Sequence, residues 1–346
     1  MLRKRNRAGK AHSAQTAKVS IEDEREETPA TSRPAIRSMK TGGLHDRQPA
    51  DPICAPLVIG HRGASGLSPE NTLAAFRLAM ALGADGLEMD VQLSADSQPV
   101  VIHDRRVDRT TAGVGAVERF TANELEQLDA GTWFRRRLAV RPRLRAMADR
   151  AAMAAGNGPA NSSHETVPTL ASVLASIAPE RPRRVYIELK TDPRRRRVLL
   201  DRTIALVRNS SLADSITLLS FDHEIIRLAK EIAPQLRTAA TFPMTGRTFV
   251  TPRGIIEGVR KAAADEAALH FGLANLRTVR ALHDSGLTVS AWTVNSKILM
   301  RRLIALGVDS IMTNFPNRLI EVINSPRRPL LFGRRGRKSG ESAKRK

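Results

Sequence analysis

The sequence predicts an α/β fold in which parallel strands and helices alternate around a (β/α)8 barrel. Three observations carry that reading. Between about residues 55 and 325, short runs rich in Val, Ile and Leu alternate with amphipathic helical patterns. The runs are almost continuously apolar, as strands covered on both faces are. A helix-end, glycine and strand unit also recurs, as "ALGADGLEMD" (81–90) and "ALGVDSIMTN" (305–314).

Taken in order, the expected strands are "PLVIG", "GLEMDVQL", "PVVIHD", "RVYIEL", "SITLLSF", "RTAATF", "LTVSAWTV" and "SIMTN", which favours closure over an open sheet. Ser68 is the expected cap of the first helix, with Pro69 in its first position, Leu73, Phe76 and Met80 on one face and Gly83 at its end. Thr121 and Glu124 form a capping box. Thr169 opens a helix carrying Leu170, Val173, Leu174 and Ile177. Asp192-Pro193 opens one carrying Val198, Leu199 and Val207, and Asp222 opens one carrying Ile225, Ile226, Leu228 and Ile232. Asn275–Gly286 and Ser296–Gly307 complete the series. The stretch from Arg105 to Thr166 breaks the alternation and reads as an insertion on the barrel rim.

Composition sets the surroundings. The 346-residue chain carries a net charge of +21, concentrated unevenly. Residues 1–50 mix basic and acidic clusters with Pro, Ser and Gly, lack a sustained apolar period and read as a disordered tail. Residues 326–346 form a basic tail that could meet an anionic membrane or nucleic acid. The single cysteine, Cys54, excludes an intrachain disulfide and a thiolate metal cluster, and is expected to be a small buried hydrophobe. No apolar run reaches the ~18 residues of a spanning helix, and the basic N-terminus has no apolar core of a secretory signal, so a cytoplasmic protein is expected. Met39 offers an alternative start.

Polar residues interrupt the apolar strands near their C-terminal ends, where barrel active sites form. His61 and Arg62 end the first strand, Glu88 and Asp90 share one face of the second, His103 and Asp104 end the next run, and Glu188 and Lys190 end another. Each has a structural alternative: a turn histidine, a strand-end cap, an ion pair such as Glu188 with Lys190. Four strands doing this together points to a site, because charged side chains are seldom buried without purpose or partner. Glu88, Asp90 and Glu188 offer hard oxygen ligands suited to Mg²⁺ or Ca²⁺, with Mn²⁺ possible. His61 and His103 suit acid/base work near neutral pH. Arg62 and Lys190 suit an anionic substrate. Together they describe cleavage of a phosphoryl ester.

The motifs "HRG…PENT", "GLEMDVQLSADSQPVVIHD", "RTTAGVG", "LDAGTWF", "VPTL", "IELK", "WTVN" and "GVDSIMTNFP" resemble those of the glycerophosphodiester phosphodiesterases over about residues 56–325. The resemblance implies a TIM barrel with a small insertion after the second strand region. It implies that His61 and His103 are the acid/base pair, that Glu88, Asp90 and Glu188 hold a divalent metal, that Arg62 and Lys190 contact the substrate phosphate, and that Trp292 walls the glycerol. It further implies a cyclic phosphate formed by the glycerol 2-hydroxyl and then opened by water. Most members carry an Asp where this chain has Asn314, a departure that bears on substrate positioning, and the segment from Arg135 to Thr166 is longer and more basic than usual. Two alternatives remain at this level. One is a phosphodiesterase acting on lysophospholipid or sphingomyelin-type head groups. The other is a non-catalytic barrel binding anionic partners through its tails.

Overall fold

A computed structural model describes residues 55–156, 164–190, 192–244 and 251–325. The two tails, Cys54 and part of the long basic segment (157–163) lie outside the described residues. The strands are β1 (Leu57–His61), β2 (Gly86–Leu93), β3 (Pro99–Val101), β4 (Arg184–Leu189), β5 (Ile216–Ser220), β6 (Arg237–Phe242), β7 (Glu266–His270), β8 (Thr288–Trp292) and β9 (Ser310–Thr313). In space they run β1-β9-β8-β7-β6-β5-β4-β2, and β2 pairs back onto β1. All of those pairings are parallel, so the barrel closes and leaves no edge. The fold is the expected TIM barrel.

Its membership differs from the sequence reading at two places. "PVVIHD" is not a barrel stave: β3 pairs antiparallel with β2 alone, Val91 facing Val101 and Leu93 facing Pro99. The missing stave is β7, "EAALH", which completes a third copy of the recurring unit, "ALGADG", "ALGVDS" and "KAAADE". The left-handed position that Gly83 (φ 88°) and Gly307 (φ 77°) fill is taken by Ala263 at φ 51° in this copy. The turn glycine that marks the other two units is therefore absent, and a buried Glu266 starts the strand. The shared aspartate has a common task. Asp85, Asp265 and Asp309 each accept a backbone N–H from the neighbouring strand, of Val58 (2.9 Å), Thr238 (2.8 Å) and Val289 (2.8 Å).

The helices α1 (Leu73–Ala81), α2 (Ala122–Glu126), α3 (Thr132–Ala139), α4 (Pro142–Ala154), α5 (Leu170–Ile177), α6 (Arg196–Arg208), α7 (His223–Ile232), α8 (Pro252–Lys261), α9 (Leu276–Asp284), α10 (Lys297–Leu306) and α11 (Pro316–Asn324) surround the staves. Their apolar faces bury Phe76, Leu174, Ile204, Ile226, Val259, Leu282, Leu303 and Leu319 against the outside of the barrel. The capping box of Thr121 and Glu124 is present, and Thr169, Asp222 and Asn275 cap as expected. The first helix is shorter than expected: Thr72, not Ser68, is the cap, accepting from Ala75 N, and residues 62–71 form turns. Likewise α6 begins at Arg196, beyond Asp192-Pro193, and leaves Val198 exposed.

The insertion is more ordered than a long loop. Val100, Ile102, Val107, Val117, Leu125 and Val167 form a small core of their own beside the barrel. Inside the barrel, Ile59, Tyr186, Leu219, Ala239, Ala268 and Met312 fill the lumen as side-chain layers do in this fold. Above them the lumen opens at the C-terminal ends of the staves.

Candidate active site

The barrel register assembles the site. His61 lies beside Glu88 across the β1–β2 pairing, and Asp90 lies beside Glu188 across β2–β4. The period-two alternation of β2 turns Glu88 and Asp90 to the same side. One ligating oxygen from each of Glu88, Asp90 and Glu188 falls within 4.8 Å of the others, and all three residues are buried. The His-Arg-Gly turn wraps this cluster. Arg62 takes a left-handed φ of 53°, its N–H donates to Glu88 Oε2 (2.9 Å), and its Nε lies 3.0 Å from Asp90. Gly63 (φ 76°) presses on α1, where an added Cβ would come within 2.5 Å of the Ala75 carbonyl carbon, so no larger residue fits the turn.

Electrostatics follow from that packing. Burial, then the charges of Asp90 and Glu188, push Glu88 well above the usual carboxylate range. Burial and Asp90 raise Glu188 to about 7, with Lys190 opposing. Burial also pushes on Asp90, but Arg62 and Lys190 outweigh it and hold this carboxyl below its ordinary value. Lys190 Nζ sits between the two acids, 3.0 Å from Asp90 and bonded to Glu188. Asn71 Nδ2 adds a 2.9 Å bond to Asp90.

The histidines stand on either side with different partners. His61 Nδ1 lies 2.8 Å from Asn314 Oδ1, while its Nε2 lies 3.8 Å from Glu88 and 3.4 Å from Thr293 Oγ1. Burial, then the charge of Arg62, lowers its pKa to about 4. His103 is also lowered by burial, but less enclosed, and its Nδ1 lies 2.6 Å from the Asp104 carboxylate. Arg109 grips Asp104 and also Glu70, and Glu70 binds Arg62 at 2.8 Å. A continuous chain of charges thus ties the loop of His61 to the loop of His103. Gln92 props the second loop by donating to the carbonyls of Ile102, His103 and Asp104.

The far wall is apolar and aromatic. Trp292 ends β8, donates Nε1–H to Ala268 O (3.1 Å) and meets Phe221 edge-on with centroids 5.4 Å apart. Together with Leu219, Met312 and Thr293, these rings line the cavity that holds His61, Arg62, Glu88, His103, Glu188 and Lys190.

Residues 61–318 match the Glycerophosphoryl diester phosphodiesterase family. The chain belongs to this family. A glycerophosphodiester phosphodiesterase of Caldanaerobacter subterraneus subsp. tengcongensis is 34% identical over 270 residues, covering 77% of this chain and 97% of that protein. An Oleispira antarctica phosphodiesterase, solved in complex with the product sn-glycerol-3-phosphate, superposes with a TM-score of 0.65 at 26% identity over 78% of this chain and 98% of that one. A glycerophosphodiester phosphodiesterase of Agrobacterium tumefaciens gives a TM-score of 0.59 at 27% identity over 76% and 98%.

Seven of the eight residues singled out from the sequence line the one cavity, and the eighth, Asp90, lies beneath it. Sequence reasoning missed Glu70, Arg109, Gln92, Thr293 and Phe221. Of these, Glu70, Gln92, Arg109 and Thr293 sat inside quoted motifs ("PENT", "GLEMDVQLSADSQPVVIHD", "RTTAGVG", "WTVN") but had no assigned partner. Asn314, linked from sequence to substrate positioning, lies against His61 Nδ1. His270 ends β7 with its ring 5.5 Å from that of Trp292. No helix among the described residues is long and apolar enough to cross a membrane.

Proposed function

We propose that the chain hydrolyses glycerophosphodiesters to glycerol 3-phosphate and an alcohol by metal-dependent, two-histidine acid/base catalysis, carried wholly by the barrel of residues 55–325. The observation that carries this reading is the buried carboxylate cluster flanked by two histidines with opposite partners.

The residues fit a divalent cation. Glu88 Oε1 is buried without a hydrogen-bond partner, and Glu88 and Glu188 are both pushed up by burial first and then by the Asp90 charge. A hard oxygen donor set of this kind, without sulfur, suits Mg²⁺ or Ca²⁺. Held by Glu88, Asp90 and Glu188, the ion would supply Lewis acidity toward the phosphodiester oxygens and a neighbouring hydroxyl.

The chain's own residues do the rest. Arg62 and Lys190, fixed by Asp90 and its neighbours, present positive charge to the phosphate. Trp292 and Phe221 shield the glycerol end from water. His61, kept neutral by burial and paired with the neutral Asn314 amide, is placed to accept a proton through Nε2. His103 is placed to donate one to the leaving oxygen, because the Asp104 carboxylate supports its imidazolium. The glycerol 2-hydroxyl is then the nucleophile, and the two histidines exchange roles when water opens the resulting cyclic phosphate.

The test is release of glycerol 3-phosphate by the purified full chain, with excess chelator and after Ca²⁺ or Mg²⁺ is restored. Loss and recovery of activity are expected. Unchanged turnover in chelator refutes the metal-dependent reading. His61→Ala and His103→Ala should each reduce kcat at least ~10²-fold while retaining cation binding.

A further inference from the structure

A second cavity, about 580 Å³, opens beside the first and shares only His103 and Lys190 with it. Its polar lining includes Gln92 on β2, Arg105, Arg106 and Glu118 of the insertion, and Asp192 and Arg195 ahead of α6, with Leu93, Ala116 and Leu199 forming apolar walls. Its place is informative. A phosphodiester seated at the carboxylate cluster has two ends that leave in opposite directions. The aromatic end of the first cavity takes the glycerol under the function proposed above, on which this inference rests. The other end must then pass His103 into the second cavity. The leaving alcohol therefore has a built subsite, and the lining of that subsite specifies its chemistry.

We infer that this cavity selects a polyhydroxy alcohol, of the inositol or glycerol kind, over a quaternary ammonium alcohol such as choline. Quaternary ammonium groups are held by the faces of Trp, Tyr and Phe, and among the described residues none of these lines this cavity, whose one ring is the imidazole of His103. The rings of Phe221 and Trp292 both stand at the other end of the site. In their place the cavity is lined by guanidinium donors (Arg105, Arg106, Arg195) and carboxylate acceptors (Asp104, Glu118, Asp192). Arg195 is held open by neutral oxygens, donating to Ser94 O at 2.7 Å, Ser97 Oγ at 3.2 Å and Leu93 O at 3.4 Å. Arg106 is steadied by Asp108 at 2.9 Å. A hydroxyl both donates and accepts, so a ring of hydroxyls can satisfy both sets at once. A trimethylammonium group can satisfy neither the guanidiniums nor, by hydrogen bonds, the carboxylates. The volume also accommodates a six-membered polyol with ordered water around it.

The experiment compares kcat/KM of the metal-loaded full chain on three diesters: glycerophosphoinositol, glycerophosphocholine, and the methyl ester of glycerol 3-phosphate, which does not reach the second cavity. The same series is run on the double variant Arg106→Ala/Glu118→Ala, which leaves the carboxylate cluster and both histidines intact. Wild type should prefer the inositol diester over the choline diester by about tenfold or more, the scale of one or two hydrogen bonds. The double variant should lose about tenfold on the inositol diester alone, mostly in KM, and keep the methyl ester within twofold. Equal or better use of the choline diester by wild type overturns the inference, as does an equal loss on all three substrates in the variant. Failure to cleave even the methyl ester refutes instead the hydrolytic reading beneath it.

Discussion

Asp104 gives the sharpest probe of the proton path. Its carboxylate lies 2.6 Å from His103 Nδ1, and the Arg109 guanidinium holds its pKa down to about 2, so it stays charged through the working range. Asp104→Asn keeps an acceptor on Nδ1 but removes the charge. Hydrogen bonds to charged groups contribute ~1.5–3 kcal/mol against ~0.5–1.5 for neutral ones. With 30% of the Asp104 side chain exposed, solvent screening reduces the difference to about 1 kcal/mol. The imidazolium of His103 loses that support, so its pKa falls by somewhat under one unit. If His103 is the proton donor, activity declines as pH rises through its pKa, and a lower pKa moves that decline to lower pH. At pH 7 kcat should fall about fivefold, with KM nearly unchanged. Asp104→Ala also frees the ring to turn and should cost far more, toward the ~10²-fold scale of a lost acid. Initial rates of glycerol 3-phosphate release between pH 5 and 9 measure both. Wild-type kcat and pH profile in both variants would show that His103 does not depend on Asp104.

Three further outcomes follow from the same geometry. Glu88→Gln should weaken Ca²⁺ or Mg²⁺ binding by about tenfold or more in calorimetry, and should not lower the melting temperature of the metal-free protein, because a buried, repelled carboxylate is being neutralised; a large loss of metal-free stability with intact metal binding would contradict this. A diester lacking the glycerol 2-hydroxyl should bind but turn over at a small fraction of the normal rate, whereas cleavage at the normal rate would mean that water attacks phosphorus directly. Asp129 accepts from Gly131 N (2.7 Å), Thr132 N and Thr132 Oγ1 at the start of α3; burial opposes these bonds, yet its pKa is lowered to about 2. A lowered carboxyl stabilises the fold above its unfolded pKa and loses that contribution as pH falls through the folded value. Asp129→Ala should therefore cost ~1–2 kcal/mol at pH 7 by urea unfolding, and the gap from wild type should close as pH approaches 2.

The alternation of strands and helices, the polar strand ends and most caps were legible because each is a local pattern. Errors arose where a local signal was missing or pointed elsewhere. β7 escaped notice because Ala263 occupies a turn that glycine marks in the sister units, and because its run "EAALH" lacks the β-branched residues of the other staves. Pro99–Val101 looked like a stave because antiparallel and parallel partners leave the same apolar trace in so short a run. Ser68-Pro69 had every mark of a helix start, yet tertiary contacts claimed those residues for the turn around Arg62 and Asn71, and Thr72 caps instead. The positioning residues were illegible for another reason. Asn314 meets His61 across 253 positions, and Arg109 meets Glu70 across 39. A motif can show that such residues are present, but only closure of the barrel and the packing of the insertion against it show what they touch.

The same closure explains why a cation belongs in the reading. Three carboxylates face two cations, Arg62 and Lys190, in a site from which water is largely excluded. Asp90 takes most of the available positive charge: Arg62 at 3.0 Å, Lys190 at 3.0 Å and the Asn71 amide besides. Glu88 and Glu188 are left to share what remains, and both respond by holding protons more tightly. A proton and a divalent ion would therefore compete for the same oxygens. With Glu188 raised to about 7, that competition falls within the neutral range: cation affinity should strengthen as pH rises through it, each binding event releasing protons. Arg62 is held by Asp90 and Glu70, and Lys190 by Asp90 and Glu188. The division of labour within the triad thus follows from burial and the β2–β4 register that sets Asp90 beside Glu188.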